Sequence, residues 1–289
     1  MMRHRARGLK PGAVHGEARP GRAHRLAMAA AIGVAALALN CARPAPRPEP
    51  PPHLQAGEAG KVILRAIEAH GGWPKWIEAR SAEYDWETPA ANPGEPPRRS
   101  RVTFDLHGGR VRIEDAGTGW IQVWDGNEAW VEPPDAPLEY PARFITRTEH
   151  FWFALPWKLA DSGATLELLP DEERDDRSFR RVRATYAAGT GDSPQDWYIC
   201  YFSAETGLLE KVVYTVTFFG PEPGEEGFTP YYGEWGEYVE AGGLKIASRR
   251  RFAPWNEGKP GAFAFEDLLL NVRLGGQPPP EAAFQRTSS

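Results

Sequence analysis

The sequence has little sulfur, few long apolar runs and no cofactor motif. It contains 2 cysteines in 289 residues, and its methionines, Met1, Met2 and Met28, all lie near the N-terminus. No Cys/His spacing matches a zinc site, and no phosphate loop, dinucleotide fingerprint or nucleophile elbow is present. We therefore expect no metal site, no cofactor and no catalytic residue, and the protein is predicted not to be an enzyme.

The one long apolar run covers residues 26–39 and follows seven basic residues. A basic segment, a short apolar segment and small residues at its end are typical of an export signal. The run is shorter than the roughly 20 residues of a membrane-spanning helix. Residues 1–40 are therefore predicted to be an export signal that places the folded part outside the cytoplasm.

Cys41 directly follows this segment, where a bacterial lipoprotein carries its acyl chains. Residues 37–41 (LALNC) resemble a lipobox, so we predict that Cys41 is lipidated. Secretory cleavage after Ala38 and an uncleaved anchor stay open as alternatives. Residues 42–56 are Pro-rich and would form an extended tether behind the lipidated cysteine. The expected location is the bacterial cell envelope, as an outer-membrane lipoprotein facing the periplasm or the surface, or the secreted fraction if Cys41 is not acylated.

The N-terminal segment of the chain is basic, and the rest of the chain is acidic. Residues 1–40 carry seven basic residues and one acidic residue, a net charge of +6, so the rest carries −11 against −5 for the whole chain. An acidic domain lacks the basic footprint that nucleic acids require, and it is not attracted to anionic lipid. A nucleic-acid partner is thus excluded, membrane attachment is expected through Cys41, and nothing in the sequence indicates an oligomeric state.

Residues 57–275 have the pattern of one mainly β (α+β) domain. About eleven short segments alternate apolar and polar residues and are joined by short turns, which predicts antiparallel strands. Helices are predicted at 58–70, at 73–79 and, as a central helix, at 142–154. A sheet of this length must curl or close, so we predict a single strongly curved sheet that forms a half-barrel with helices on its concave side. Residues 276–289 are predicted to be a flexible C-terminal tail.

Four stretches together carry a family resemblance. They are residues 66–72 (AIEAHGG), 123–130 (VWDGNEAW), 153–163 (FALPWKLADSG) and 203–209 (SAETGLL). In this order the chain resembles the outer-membrane lipoprotein-sorting superfamily of carriers and receptors, and most of all an uncharacterised lipoprotein branch. The resemblance implies a half-barrel of about eleven antiparallel strands closed by helices, with an apolar cavity for acyl chains.

The central helix is the candidate site for ligand contact. It and the residues after it have more aromatic side chains than one buried stripe needs. One interpretation is a lid over an acyl cavity, and the other is ordinary core packing. The candidate lipid-binding residues are Phe144, Ile145, Phe151, Trp152 and Trp157.

The histidines show no metal or triad spacing. His70 is expected to cap or pack the end of the first helix. His107 is expected at a hairpin mouth, and His150 on the polar side of the central helix.

Cys200 and two acidic runs complete the expectations. Cys200 lies in an aromatic strand and is expected to be a small buried hydrophobe. The acidic runs at 171–176 and 222–226 are expected to be solvated loops.

The sequence leaves three functions open. The first is a membrane-tethered domain that binds a lipid or the acyl chain of a lipoprotein in an apolar cavity, without catalysis. The second is an extracytoplasmic hydrolase of unknown substrate. The third is a structural envelope lipoprotein with no small ligand.

Overall fold

Three helices occupy the predicted positions in the part of the chain that the structure describes. The computed structural model describes residues 48–90, 94–174, 176–221, 227–256 and 258–286, so the export signal and Cys41 lie outside it. The helices are α1 (Glu58–Ala69), α2 (Trp73–Glu78) and α3 (Ala142–Phe153). Short 3-10 turns occur at Pro52–Gln55, Trp157–Ala160 and Glu281–Phe284.

The strands form one antiparallel sheet of 13 strands in the described residues. They are β1 (Ser81–Thr88), β2 (Arg98–Asp105), β3 (Arg110–Asp115), β4 (Ile121–Trp124), β5 (Ala129–Glu132), β6 (Ala164–Arg174), β7 (Arg177–Tyr186), β8 (Trp197–Ser203), β9 (Leu209–Tyr214), β10 (Tyr231–Ala241), β11 (Leu244–Asn256), β12 (Lys259–Pro260) and β13 (Phe265–Gly275).

The sheet is open, and its strand order explains why α3 lies where it does. The order is β5-β4-β3-β2-β1-β13-β11-β10-β9-β8-β7-β6, and β12 adds a two-residue pairing to β11. Its edge strands are therefore β5 and β6, which are consecutive in the chain and joined by the segment that contains α3. The mainly β class and the single antiparallel sheet are confirmed, a half-barrel is consistent with them, and the strand count exceeds the predicted eleven.

The inner face of the sheet and all three helices form one apolar core. Strand alternation places Tyr84 opposite Val102, and Phe104 opposite Val111, on this face. All four are almost fully buried, together with α1 side chains such as Ile63. Burial of one face of each strand and one stripe of each helix is the layer packing that the alternating pattern predicts.

The outer face carries two smaller apolar clusters. One contains Phe179, Tyr201, Val213, Tyr232 and Ala253, with Trp197, Ile199 and Trp255 packed against it. The other contains Val123, Trp130 and Phe284. Phe284 is buried on the outer face, so the segment predicted as a flexible tail is packed on the sheet as far as Phe284.

Two expected boundaries differ from the structure. Residues 171–174, predicted as a solvated loop, belong to β6, because Glu172 to Arg174 pair with β7 beyond an irregularity in register. The other acidic run, 222–226, lies outside the described residues. At the N-terminal side, Leu54 is fully buried against α1, so the folded part begins within the predicted tether.

Candidate functional site

Helix α3 crosses the inner face between the two edges of the sheet. Pro141 precedes its first residue, and the helix ends at Phe153, shortly before Pro156. Its contacts reach β3, β4 and β5, while α1 contacts β6 and β7. The helices thus cover both halves of the inner face, and α3 is the element that a ligand beneath it would meet.

Trp152 lies at the centre of the rings beneath α3. Its ring centroid is 4.8 Å from that of Tyr214, 5.2 Å from that of Trp235 and 6.3 Å from that of Phe252. Phe151 is partly buried beside it and lies 4.7 Å from Tyr198. The interface between helix and sheet is therefore lined by aromatic side chains from β8, β9, β10 and β11.

Phe144 belongs to a second group of rings at the other end of α3. We call Tyr140, Phe144, Phe218 and Phe219 the N-terminal ring cluster. Phe144 lies 4.7 Å from Phe219 and 5.2 Å from Phe218. Tyr140 and Phe219 are 45% and 52% exposed, so the cluster presents apolar surface to solvent. Phe218 and Phe219 follow β9, which ends at Tyr214.

Ile145 and Trp157 make other contacts. Ile145 is partly buried against the core, between the two groups of rings. Trp157 is almost fully buried and stacks on Trp76 of α2, with centroids 4.6 Å apart. Four of the five candidate residues thus lie on α3 itself, whereas Trp157 packs between helical segments.

A buried ionic cluster fixes α3 to three strands. We call Tyr84, Glu149, Arg250 and Asp267 the Arg250 cluster. Arg250 Nη2 donates to both oxygens of Glu149, at 2.7 and 2.9 Å, and to Asp267 Oδ2 at 3.2 Å. The Tyr84 hydroxyl donates to Glu149. All four side chains are nearly inaccessible to solvent.

Burial and charge determine the protonation of this cluster. Burial raises the pKa of Asp267 to about 7, and Arg250 only partly offsets that effect. Burial also lowers the pKa of Arg250, but the charges of Glu149 and Asp267 outweigh it and the net pKa is raised. Burial and the charge of Glu149 raise the pKa of the Tyr84 hydroxyl. Arg250 is therefore always charged, and Asp267 takes up a proton near neutral pH.

The structure corrects the prediction for His150. Instead of lying on a polar side of α3, His150 is buried, and its Nε2 donates to the Leu106 carbonyl oxygen at 3.1 Å. Burial lowers its pKa to about 4. The prediction was wrong because α3 buries polar side chains beside its apolar stripe, where the sheet supplies partners.

The remaining expectations on single residues agree with the structure. His70 ends α1, and its Nδ1 donates to the Ala66 carbonyl oxygen at 2.7 Å. His107 follows β2 at a hairpin, and its Nε2 donates to the Trp76 carbonyl oxygen at 3.2 Å. Cys200 is fully buried, and burial raises the pKa of its thiol to about 12.

The space beneath α3 is nearly filled. A central void of about 10 Å³ is lined by Trp152, Phe153, Leu155, Trp235, Tyr238, Ile246, Ala247, Arg250 and Leu269. Small-molecule pockets usually hold about 300 Å³ or more. The side chains of α3 and of the sheet thus fill most of the space between them at this position.

A larger pocket of about 160 Å³ lies between α1 and the β8–β9 turn. Its lining includes Glu58, Lys61, Arg65 and Arg180 beside Val62 and Phe202. Lys61 pairs with Glu58, and Arg65 donates to the Ala204 carbonyl oxygen. The charged side chains of this lining do not suit an acyl chain.

The Arg250 cluster was not predicted from the sequence, although the pattern contains a signal for it. Glu149 follows Ile145 by four residues and precedes Trp152 by three, so helical spacing places it on the buried stripe. Arg250 alternates with Phe252, and Asp267 with Leu269, so both belong to inward-facing positions. The signal is a charged residue at a strand position that faces the core. The sequence does not show which residues pair with it, because they are distant along the chain.

Two properties of the described residues concern metals and membranes. In the described ranges no group of three or more His, Cys, Asp or Glu side chains is arranged to hold a metal ion. None of the helices described has the length and apolar character needed to cross a bilayer.

Comparison with known proteins identifies the fold. No protein-family model and no curated protein matches the sequence. Among solved structures, a LolA superfamily protein from Nitrosomonas europaea is similar, with a TM-score of 0.53 and 12% identity over 80% of this chain and 98% of that one. A DUF1329 family protein from Desulfovibrio piger has a TM-score of 0.50 and 12% identity over 79% and 98%. A domain described as an outer-membrane lipoprotein-sorting protein from Vibrio parahaemolyticus has 9% identity over 74% and 91%, with a lower TM-score of 0.44. The fold that the sequence resemblance implies is confirmed, because it is similar to the fold of a LolA superfamily protein.

Proposed function

We propose that this protein is a non-enzymatic lipoprotein of the bacterial cell envelope that binds a lipid or the acyl chain of a lipoprotein beneath α3. The observation that carries the proposal is the aromatic interface between α3 and the sheet, with Trp152 at its centre. The LolA-superfamily fold supports it, because the sequence resemblance implies an apolar cavity for acyl chains. The tether and the lipidated Cys41 would hold the domain at a membrane.

Ligand entry requires α3 to move away from the sheet. The central void of about 10 Å³ is far below the roughly 300 Å³ of a ligand pocket. The N-terminal ring cluster is half-exposed, so that end of α3 offers apolar surface where a chain would first be buried. We propose that a chain enters there and replaces the contacts of Phe151 and Trp152 with the strands.

Native mass spectrometry of the protein purified from bacterial membranes in mild detergent tests this proposal. We expect lipid adducts in addition to any covalent modification. Trp152→Ala should reduce the bound fraction severalfold, because it removes the central ring of the interface. Trp255→Ala is the matched control, since Trp255 stacks on Tyr232 in the outer-face cluster and should leave the adducts unchanged.

A structural envelope lipoprotein without a small ligand is the second candidate, and the nearly filled core favours it. The same measurement separates the two. An adduct-free mass for the wild-type protein after mild extraction would contradict lipid binding and support the structural role. Circular dichroism of both variants establishes whether a lost adduct reflects the site or the fold.

A further inference from the structure

Arg250 has hydrogen-bond donors that the Arg250 cluster does not use. The side chain is 1% exposed, and only its Nη2 donates to Glu149 and Asp267. Its Nε and Nη1 are buried and have no acceptor among the described residues. Leaving a buried donor without a partner is unfavourable, because the donor has lost its hydrogen bonds to water. A guanidinium held in this way is ready to donate to an additional oxygen.

Trp235 supplies a further donor at the same place. It is paired with Arg250 across β10 and β11, and its buried indole N–H also lacks an acceptor in the described structure. Both residues line the central void beneath α3. The rest of that lining is almost entirely apolar, so these donors are the polar feature of the surface that a ligand beneath α3 would contact.

We propose that Arg250 and Trp235 bind the neutral carbonyl oxygen of an ester- or amide-linked acyl chain. This inference rests on the proposed function and assigns the polar end of the same site. The chain itself would occupy the aromatic interface around Trp152, and the carbonyl oxygen would accept from the unused N–H groups. One ligand would then supply an acceptor for the unpaired N–H groups and would bury its chain against the apolar side chains.

Charge favours a neutral acceptor over a carboxylate. Arg250 already faces two carboxyl groups, Glu149 and Asp267, at hydrogen-bond distance. A further carboxylate would be repelled by Glu149, and by Asp267 whenever Asp267 is ionised, and it would also lose its hydration on burial. A carbonyl oxygen gains the hydrogen bonds without adding charge. The expected ligands are thus glycerolipids or acylated peptides rather than ionised fatty acids.

Competition binding to the full-length, delipidated protein in mild detergent tests the assignment with methyl palmitate, palmitate and hexadecane. All three probes contain a long alkyl chain. Methyl palmitate carries a neutral ester, palmitate carries a carboxylate, and hexadecane carries no oxygen. We expect methyl palmitate to bind roughly fivefold or more tightly than either of the others, as one or more hydrogen bonds to a neutral acceptor would give. Equal binding of methyl palmitate and hexadecane, or tighter binding of palmitate, would overturn the inference and leave the proposed function standing. Absence of binding by all three would contradict both.

Trp235→Phe isolates the indole donor, since it keeps an aromatic ring. The ratio of methyl palmitate to hexadecane affinity should fall severalfold in this variant. Trp255→Phe is the matched control, because Trp255 stacks on Tyr232 in the outer-face cluster and does not line the void. An unchanged ratio in Trp235→Phe would count against the role of Trp235. If that variant does not fold, the wild-type ligand series decides the question.

Discussion

At the scale of single residues, the Arg250 cluster is the most consequential feature of the core. One guanidinium and two carboxyl groups are buried together, and an uncompensated charge there would cost several kcal/mol. Because burial raises the pKa of Asp267 to about 7, the cluster approaches charge balance when Asp267 holds a proton. Ion pairing with Arg250 and protonation of Asp267 therefore both lower the cost of burying these charged groups in the core.

Replacing Asp267 should change the pH dependence of stability in a defined direction. The carboxyl ionises near 3.8 when unfolded and near 7 when folded, so its contribution to stability is full below about 4 and is lost as the pH rises to 7. His70 and His150 act in the opposite sense, since burial lowers their pKa to about 4 and acid favours their unfolded, protonated form. Asp267→Asn mimics the protonated carboxyl. It therefore removes the pH dependence of stability that comes from Asp267 and keeps the one that comes from the two histidines.

Urea unfolding across this pH range measures the change. Asp267→Asn should exceed the wild type in unfolding free energy at about pH 8, by on the order of a few kcal/mol, and should lose stability more steeply on acidification. Asp161→Asn, which changes a partly exposed carboxylate paired with Lys158, should keep the wild-type profile. Identical profiles for Asp267→Asn and wild type would show that Asp267 does not retain its proton in the fold.

At the scale of helices and strands, the sequence predicts most of the fold but little of the polar core. Apolar periodicity locates α1 and α3 to within a few residues, because each of these helices buries one stripe. Glu149 and Arg250 are 101 residues apart, and no local pattern shows that they meet. The same limit explains β6, whose acidic end is a strand only because β7 supplies its backbone partners.

The C-terminal end of α1 is held against the β10–β11 turn. The Lys245 amide donates to the His70 carbonyl oxygen at 2.9 Å. The next residue, Gly71, has a φ of +114°, and a Cβ there would lie 2.3 Å from the Gly243 carbonyl oxygen. Glycine is thus required at this contact for its backbone angle and for its lack of a side chain.

Substitution of Gly71 should show how much this contact contributes. Gly71→Ala is expected to lower the unfolding free energy by roughly 2–4 kcal/mol, because a strained backbone and a clash with another backbone are combined. Gly109→Ala is the matched control, with a φ of +69° and no atom near the added methyl group, and should cost about 1 kcal/mol. Chemical denaturation measures the unfolding free energy of both variants. Equal losses of unfolding free energy would mean that the β10–β11 turn moves away from the added methyl group without cost.

At the scale of the whole molecule, topology makes α3 a connection between the two edges of one open sheet. Its movement is limited on one side by β5 and on the other by β6, which follow each other in the chain. The Arg250 cluster adds an internal attachment to β1, β11 and β13. The opening proposed above would therefore displace one connecting segment across an intact sheet and would break no strand pairing.

Attachment of the molecule to a membrane should depend on Cys41 and not on charge. Residues 41–289 carry a net charge of −11, which anionic lipid repels. Wild-type protein should therefore remain in the membrane fraction after a high-salt wash and incorporate labelled palmitate. Cys41→Ser should move to the soluble fraction and lose the label, whereas Cys200→Ser should keep it because that thiol is buried. Equal labelling of wild type and Cys41→Ser would exclude Cys41 as the acylation site, and release of the wild type by salt would indicate electrostatic binding instead.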